Sequence, residues 1–137
     1  MRTLGGYQLL GSLSSGGMGH VFLAERTTAL CFRKRFALKT LRRSLVDRED
    51  SVAAFIDEAR LVAQLEHRNI AQVFDFGFDG DVPFLVMEYV PGTSIQALVE
   101  HRGALPHRAV FQITKDAAAG LHAAHTARSL EDGEPLR

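Results

Sequence analysis

Hydrophobic and polar positions change period twice along the chain and divide it into three blocks. Residues 7–41 read as strands. Tyr7 to Leu13 and His20 to Glu25 alternate or run apolar on either side of Ser14-Ser15-Gly16-Gly17-Met18-Gly19, and Arg35 to Leu41 is a third strand-length stretch. From Asp50 to His67 the period is helical: Val52, Phe55, Ile56, Ala59, Val62 and Ala63 share one face, with Asp50 or Ser51 expected as N-cap. Val73 to Phe78 and Val82 to Val90 are two further strands joined through Asp79-Gly80-Asp81, where the glycine supplies the positive φ of a tight turn. Beyond Pro91-Gly92 the pattern turns helical again. Thr93-Ser94-Ile95-Gln96 has capping-box form and predicts a short helix ending near Gly103. Pro106 opens a long Ala-rich helix in which Val110, Ile113, Ala117, Leu121 and Ala124 keep helical spacing to about Ala127, and residues 128–137 read as a loop.

Composition narrows the functional classes. The 137 residues are 46% hydrophobic and 23% charged, so a packed core is expected and extended disorder is not. Sixteen basic side chains offset sixteen interspersed acidic ones, which removes the positive field of a nucleic-acid or anionic-lipid binder. The single cysteine, Cys31, forms no internal disulfide and no Cys-rich zinc site, and the first residues lack the apolar stretch of a secretory signal; a cytoplasmic location is expected. The longest apolar runs are far below the ~18 residues needed to span a bilayer, so no membrane span is expected.

Three features carry chemistry. The glycine cluster lies between two strands, which excludes the strand-turn-helix order of a dinucleotide fold, and no Gly-Lys-Ser/Thr follows for a P-loop. A turn of this kind either brings backbone amides to phosphate oxygens or is a plain flexible hairpin tip. Lys39, one of three lysines against thirteen arginines, sits mid-strand with Ala37 and Leu41 on its own face. An ammonium there either meets an anion or snorkels to solvent. Glu58 projects between Val62 and Leu65 and interrupts the helix's apolar arc, so it also calls for a counter-charge. Packing that helix on the sheet makes a Lys39 to Glu58 ion pair the economical solution, of functional or merely structural meaning.

In order and spacing, Leu13 to Val21, Phe36-Ala37-Leu38-Lys39, Glu58 within a helix, and Phe84-Leu85-Val86-Met87-Glu88-Tyr89-Val90 resemble the N-terminal lobe and hinge of the protein kinases, most closely the bacterial serine/threonine kinases. The resemblance implies an α+β fold: a kinase-like N-lobe over residues 1–91, with a five-stranded antiparallel sheet and one packed helix, then the first two helices of an incomplete C-lobe over 92–137. It also implies ATP as ligand. Ser14, Gly16, Gly17 and Gly19 would fold over the phosphates, and Leu13, Val21 and Ala37 would sandwich the adenine. Lys39, held by Glu58, would grip the α- and β-phosphates. Met87 would be the gatekeeper, and the backbones of Glu88 and Val90 would bond the adenine edge. Ser14 stands where the family's first loop glycine would be.

Two apparent motifs are decoys. Asp75-Phe76-Gly77 spells the kinase magnesium triplet and His67-Arg68-Asn69 faintly echoes the catalytic loop, yet both precede the hinge, whereas the family places them after the long helix. His122 and His125 are one turn apart without a third ligand and are expected as packed, structural histidines. The true catalytic loop and the Mg²⁺ ligands are missing, so the chain is expected to be a truncated kinase frame that binds ATP weakly and does not transfer phosphoryl groups alone. The rival expectation is a non-catalytic nucleotide-binding or docking module that meets a partner through its exposed last helix.

Overall fold

The computed structural model describes residues 2–17, 19–27 and 32–128; Cys31, Met18 and the loop expected over 128–137, save Arg128, lie outside the described residues. The chain forms two compact units. The first comprises Gln64 and the described residues before it together with Ala71–Tyr89, and the second comprises Leu65–Ile70 with the described residues from Val90 onward.

The first unit is a six-stranded antiparallel sheet with helices on one face. Its strands are β1 (Thr3–Leu4), β2 (Tyr7–Ser15), β3 (Gly19–Thr27), β4 (Arg33–Leu41), β5 (Val73–Asp79) and β6 (Val82–Glu88), in the spatial order β1-β2-β3-β4-β6-β5. Six strands replace the expected five, because Thr3 and Leu4 fold back on Gln8 and Tyr7 through Gly5 and Gly6, both at positive φ (56° and 80°). Two successive left-handed residues make the tight turn whose twist matches the strands it joins. Gly80, at φ 59°, turns β5 into β6 as expected.

Alternation along the strands gives the sheet two apolar faces. On the outer face Leu4, Tyr7, Ala24, Phe36, Leu38, Phe84 and Val86 form one buried cluster. On the inner face Leu41 and Leu85 pack with Phe55 and Ala59 of α2 (Glu49–Ala63). A one-turn helix, α1 (Arg43–Val46), precedes α2 and was not expected from the pattern. The α2 helix starts before the expected cap, with Arg48 at the N-cap making no side-chain bond, and stops at Ala63 rather than His67. Glu49 and Asp50 instead sit in its first turn, where their charge faces the positive end of the helix dipole.

In the second unit α3 (Ile95–Arg102) is capped by Ser94, whose hydroxyl accepts the Ala97 amide at 3.1 Å, and ends at Gly103. The expected capping box is off by one residue: Ser94 occupies the cap position, and Gln96 bonds Glu100 along the helix. The long α4 (His107–Thr126) buries Gly120, with Ala109, Ile113 and Asp116 half-buried in line with it. That stripe, rather than Val110, Ala117 and Leu121, is the inner face. A Cβ at Gly120 would meet the Asn69 carbonyl oxygen at 3.2 Å, and Asn69 Nδ2 donates to the Asp116 carbonyl at 2.8 Å, so the Leu65–Ile70 segment lies tight against the helix. No described helix is long and apolar enough to cross a membrane.

Candidate functional site

The inner sheet face brings together Val21, Ala37, Lys39 and Met87, with Glu58 reaching Lys39 from α2. Lys39 pairs with Val21 on β3 and Leu85 on β6, and Ala37 pairs with Leu23 and Met87. Residues opposite one another in a ladder share a face, and residues two apart along a strand share it too. Val21, Ala37, Lys39 and Met87 therefore stand on one surface, the surface that α2 covers at its other end. Met87 packs against the Phe55–Leu85 cluster.

Lys39 Nζ reaches both carboxylate oxygens of Glu58, at 2.6 and 2.8 Å, so β4 and α2 are tied by a two-pronged, charge-assisted contact. The surroundings are wetter than the sequence pattern implies. The Lys39 side chain is 22% exposed and Glu58 45%, so neither charge is stranded in an apolar interior and desolvation does not by itself demand the pairing. Phe55, one helical turn before Glu58, lies under the ammonium with its ring centroid 5.6 Å from Nζ. This ring was not among the expected site residues; its signal in the sequence is the i, i+3 spacing to Glu58, which puts both on one helix face. A cavity of about 320 Å³ opens beside the pair, lined by Lys39, Glu58, Phe55, Leu41, Leu45 and Ala54.

The glycine turn has two kinds of glycine. Gly16 and Gly17 have open space where a Cβ would stand, so their backbone is accessible. Gly19 is different: a Cβ there would lie 2.1 Å from the Thr40 carbonyl oxygen, since β3 begins against the end of β4. The Gly16 amide donates to the Gly19 carbonyl at 2.9 Å and closes the turn. Ser14 pairs with Val21, while Leu13 falls in a bulge between Ser12 and Ser14 and is 45% exposed.

At the end of β6 the Glu88 amide donates to the Gln72 carbonyl at 2.7 Å, and the Glu88 carboxylate accepts the Gln72 amide at 3.3 Å. Val90 lies in the second unit and is exposed.

Asp75 is a structural acid. It lies on β5, where its Oδ2 accepts the Tyr7 hydroxyl at 3.1 Å and its Oδ1 accepts the Phe76 amide at 2.9 Å. Arg26 completes the set by donating to the Tyr7 oxygen at 3.2 Å and lying over the Tyr7 ring. Burial raises the Tyr7 pKa above its ordinary value; the Arg26 bond opposes the shift and Asp75 adds to it. Gly77 leaves room for the Phe84 ring, which a Cβ would meet at 2.9 Å. His122 and His125 are exposed on α4, not packed as expected. Among the described residues no three His, Cys, Asp or Glu side chains converge.

The chain is similar to known proteins over most of its length. The chain is 36% identical to the tyrosine-protein kinase MasK of Myxococcus xanthus over 99% of its own length and 22% of that protein. It is 30% identical to the serine/threonine-protein kinase PrkC of Bacillus subtilis over 90% of its length and 19% of that protein. A crystal structure of the Mycobacterium tuberculosis PknI kinase domain superposes with a TM-score of 0.72 at 28% identity, covering 90% of this chain and 50% of that one. The chain thus spans about a fifth of the two curated relatives and half of the solved domain. The protein kinase domain family model matches residues 7–130, and the chain belongs to that family.

Proposed function

We propose that the inner face of the first unit binds ATP as the nucleotide-binding part of a protein kinase domain acting on protein hydroxyls. The observation that carries the proposal is the Lys39–Glu58 pair: a cation is fixed on the sheet face that also presents Val21, Ala37 and Met87. Val21 and Ala37 offer a flat apolar floor for a purine, with the bulged Leu13 beside them and Met87 at the back as gatekeeper. Glu88 already spends its amide on Gln72, so its contact with the purine edge falls to the carbonyl oxygen. Ser14, Gly16 and Gly17 present accessible backbone for the phosphates, and Gly19 anchors the turn against Thr40. Glu58 holds the Lys39 ammonium on this face by its two carboxylate contacts, where it would meet the α- and β-phosphates.

ATP, when bound, supplies the transferable γ-phosphoryl group. Transfer also needs Mg²⁺ and a residue that orients the attacking hydroxyl. Asp75 is engaged by Tyr7 and by the Phe76 amide, so it is not the proposed metal ligand. The proposal for this chain is therefore nucleotide binding, in a cytoplasmic setting, with phosphoryl transfer belonging to a complete kinase domain. Serine and threonine are the proposed acceptors, although MasK, a relative of similar identity, is named a tyrosine kinase.

The test is a thermal-shift titration with ATP in the wild type and in Lys39→Met. A saturable stabilisation in the wild type that Lys39→Met abolishes is expected. Equal shifts in both proteins, or none in either, would overturn the reading.

A further inference from the structure

A second cavity of the first unit lies on the opposite face of the sheet from Lys39. It measures about 590 Å³, within the ~300–1,000 Å³ of small-molecule sites. Its rim carries two cations, Arg2 and Arg43, with His20 beside them. Among the described residues neither Arg2 nor Arg43 has a carboxylate partner, and Arg2 rests only over the Phe22 ring, at 5.8 Å. One carboxylate, Asp79, reaches the cavity, and its Oδ2 is taken by the Gly5 amide at 3.0 Å.

One further observation points to an anion. The floor offers hydroxyls, from Ser12 and from Thr40, the one buried polar residue among the described core positions. Guanidinium forks with hydroxyl donors match the oxygens of a phosphate. Beside them Leu4, Phe22 and Val82 supply apolar wall, more than a bare oxyanion would use.

We propose that this cavity is a second ligand site, independent of the nucleotide face, for a small organic phosphomonoester. Its phosphate meets Arg2, Arg43 and the hydroxyls, and its apolar body lies against Phe22 and Leu4. Folding of β1 across the outer face builds the site, since Arg2 and Leu4 reach it only through the Gly5-Gly6 turn. The occupant thus links the start of the chain to the β4–α1 junction.

The test is an amide-resolved NMR titration of the whole chain with phenyl phosphate and, separately, inorganic phosphate. Phenyl phosphate is expected to shift His20, Phe22, Thr40 and Arg43 saturably, and Arg2→Gln/Arg43→Gln is expected to weaken it about tenfold or more. Lys39→Met is expected to bind it as the wild type does, which separates this site from the nucleotide face. Both arginines are exposed, and Arg43→Gln alone serves if the double variant melts early. No saturable shift, unchanged affinity in the arginine variants, or shifts confined to Val21, Ala37 and Lys39 would overturn the proposal. Inorganic phosphate binding as tightly as phenyl phosphate would overturn the organic body.

Discussion

The backbone carbonyl of Thr40 occupies the space where a side chain on Gly19 would begin, 2.1 Å from an ideal Cβ. One glycine of the turn is therefore dictated by how β3 meets β4, while Gly16 and Gly17 have open space where a Cβ would stand. Backbone cannot swing aside as a side chain can, so Gly19→Ala must separate the strands locally. A loss of about 1–3 kcal/mol in urea unfolding is expected. Gly16→Ala, in open space, is expected to stay within about 0.5 kcal/mol of the wild type while weakening nucleotide binding. Equal stability of Gly19→Ala and Gly16→Ala would contradict the assignment.

The Lys39–Glu58 pair is expected to contribute little to stability despite its short distances. Glu58 is nearly half exposed, so the charges attract through a largely aqueous dielectric. A double-mutant cycle of Lys39→Met and Glu58→Gln should return a coupling below about 1 kcal/mol, reduced further by salt. A coupling several times larger would mean a pair far drier than the one described. Nucleotide binding, by contrast, should fall in both single variants.

Tyr7 ties β2, β3 and β5 together through Arg26 and Asp75, and its raised pKa gives a signature in pH. The unfolded chain ionises this tyrosine near 10.0 while the folded protein still holds the proton. Below that pH the contribution to stability is complete; as pH climbs toward the higher folded pKa the unfolded state sheds the proton first and the contribution is lost. Urea midpoints should therefore fall more steeply above pH 10.0 in the wild type than in Tyr7→Phe. At neutral pH Tyr7→Phe should cost about 1 kcal/mol for the lost bonds. Parallel pH profiles would dismiss the network.

Asp75 should not respond to metal. With Oδ2 on Tyr7 and Oδ1 on the Phe76 amide, its acceptor sites serve the fold. Mg²⁺ titrated into the nucleotide-free chain is expected to leave the Asp75, Phe76 and Gly77 amide resonances in place. Asp75→Ala should lower the melting temperature by a similar amount with and without Mg²⁺. A saturable Mg²⁺ shift at Asp75 would restore the magnesium-triplet reading.

Ser94, not Thr93, caps α3. Ser94→Ala should cost about 0.5–2 kcal/mol, read as faster hydrogen exchange at the Ala97 and Leu98 amides, and Thr93→Ala should leave them unchanged. The reverse order would move the cap one residue earlier.

Wherever period alone carries the information, the chain's own order of residues was enough to read. Alternation over Arg35 to Leu41 and the helical spacing from Val52 to Val62 are local, so strand β4, helix α2 and the facing of Lys39 toward Glu58 were visible without coordinates. The Gly80 turn and the Gly103 helix end were legible for the same reason: both rest on one residue's backbone freedom. Elements of two and four residues, β1 and α1, are too short to show a period, and only the pairing of Thr3 and Leu4 against β2 reveals the sixth strand.

Tertiary structure decided what depends on neighbours distant in sequence. Which face of α4 is buried followed from the approach of Asn69 to Gly120, a contact spacing cannot encode because several faces of an Ala-rich helix look alike. The exposure of Glu58 and the engagement of Asp75 by Tyr7 are likewise set by what packs nearby, not by the residues themselves. The cavity on the outer face unites Arg2, His20 and Arg43 from three separate segments. Local backbone preference and hydrophobic period act over a few residues and can be read along the chain; burial, solvent access and charge environment are properties of the assembled fold.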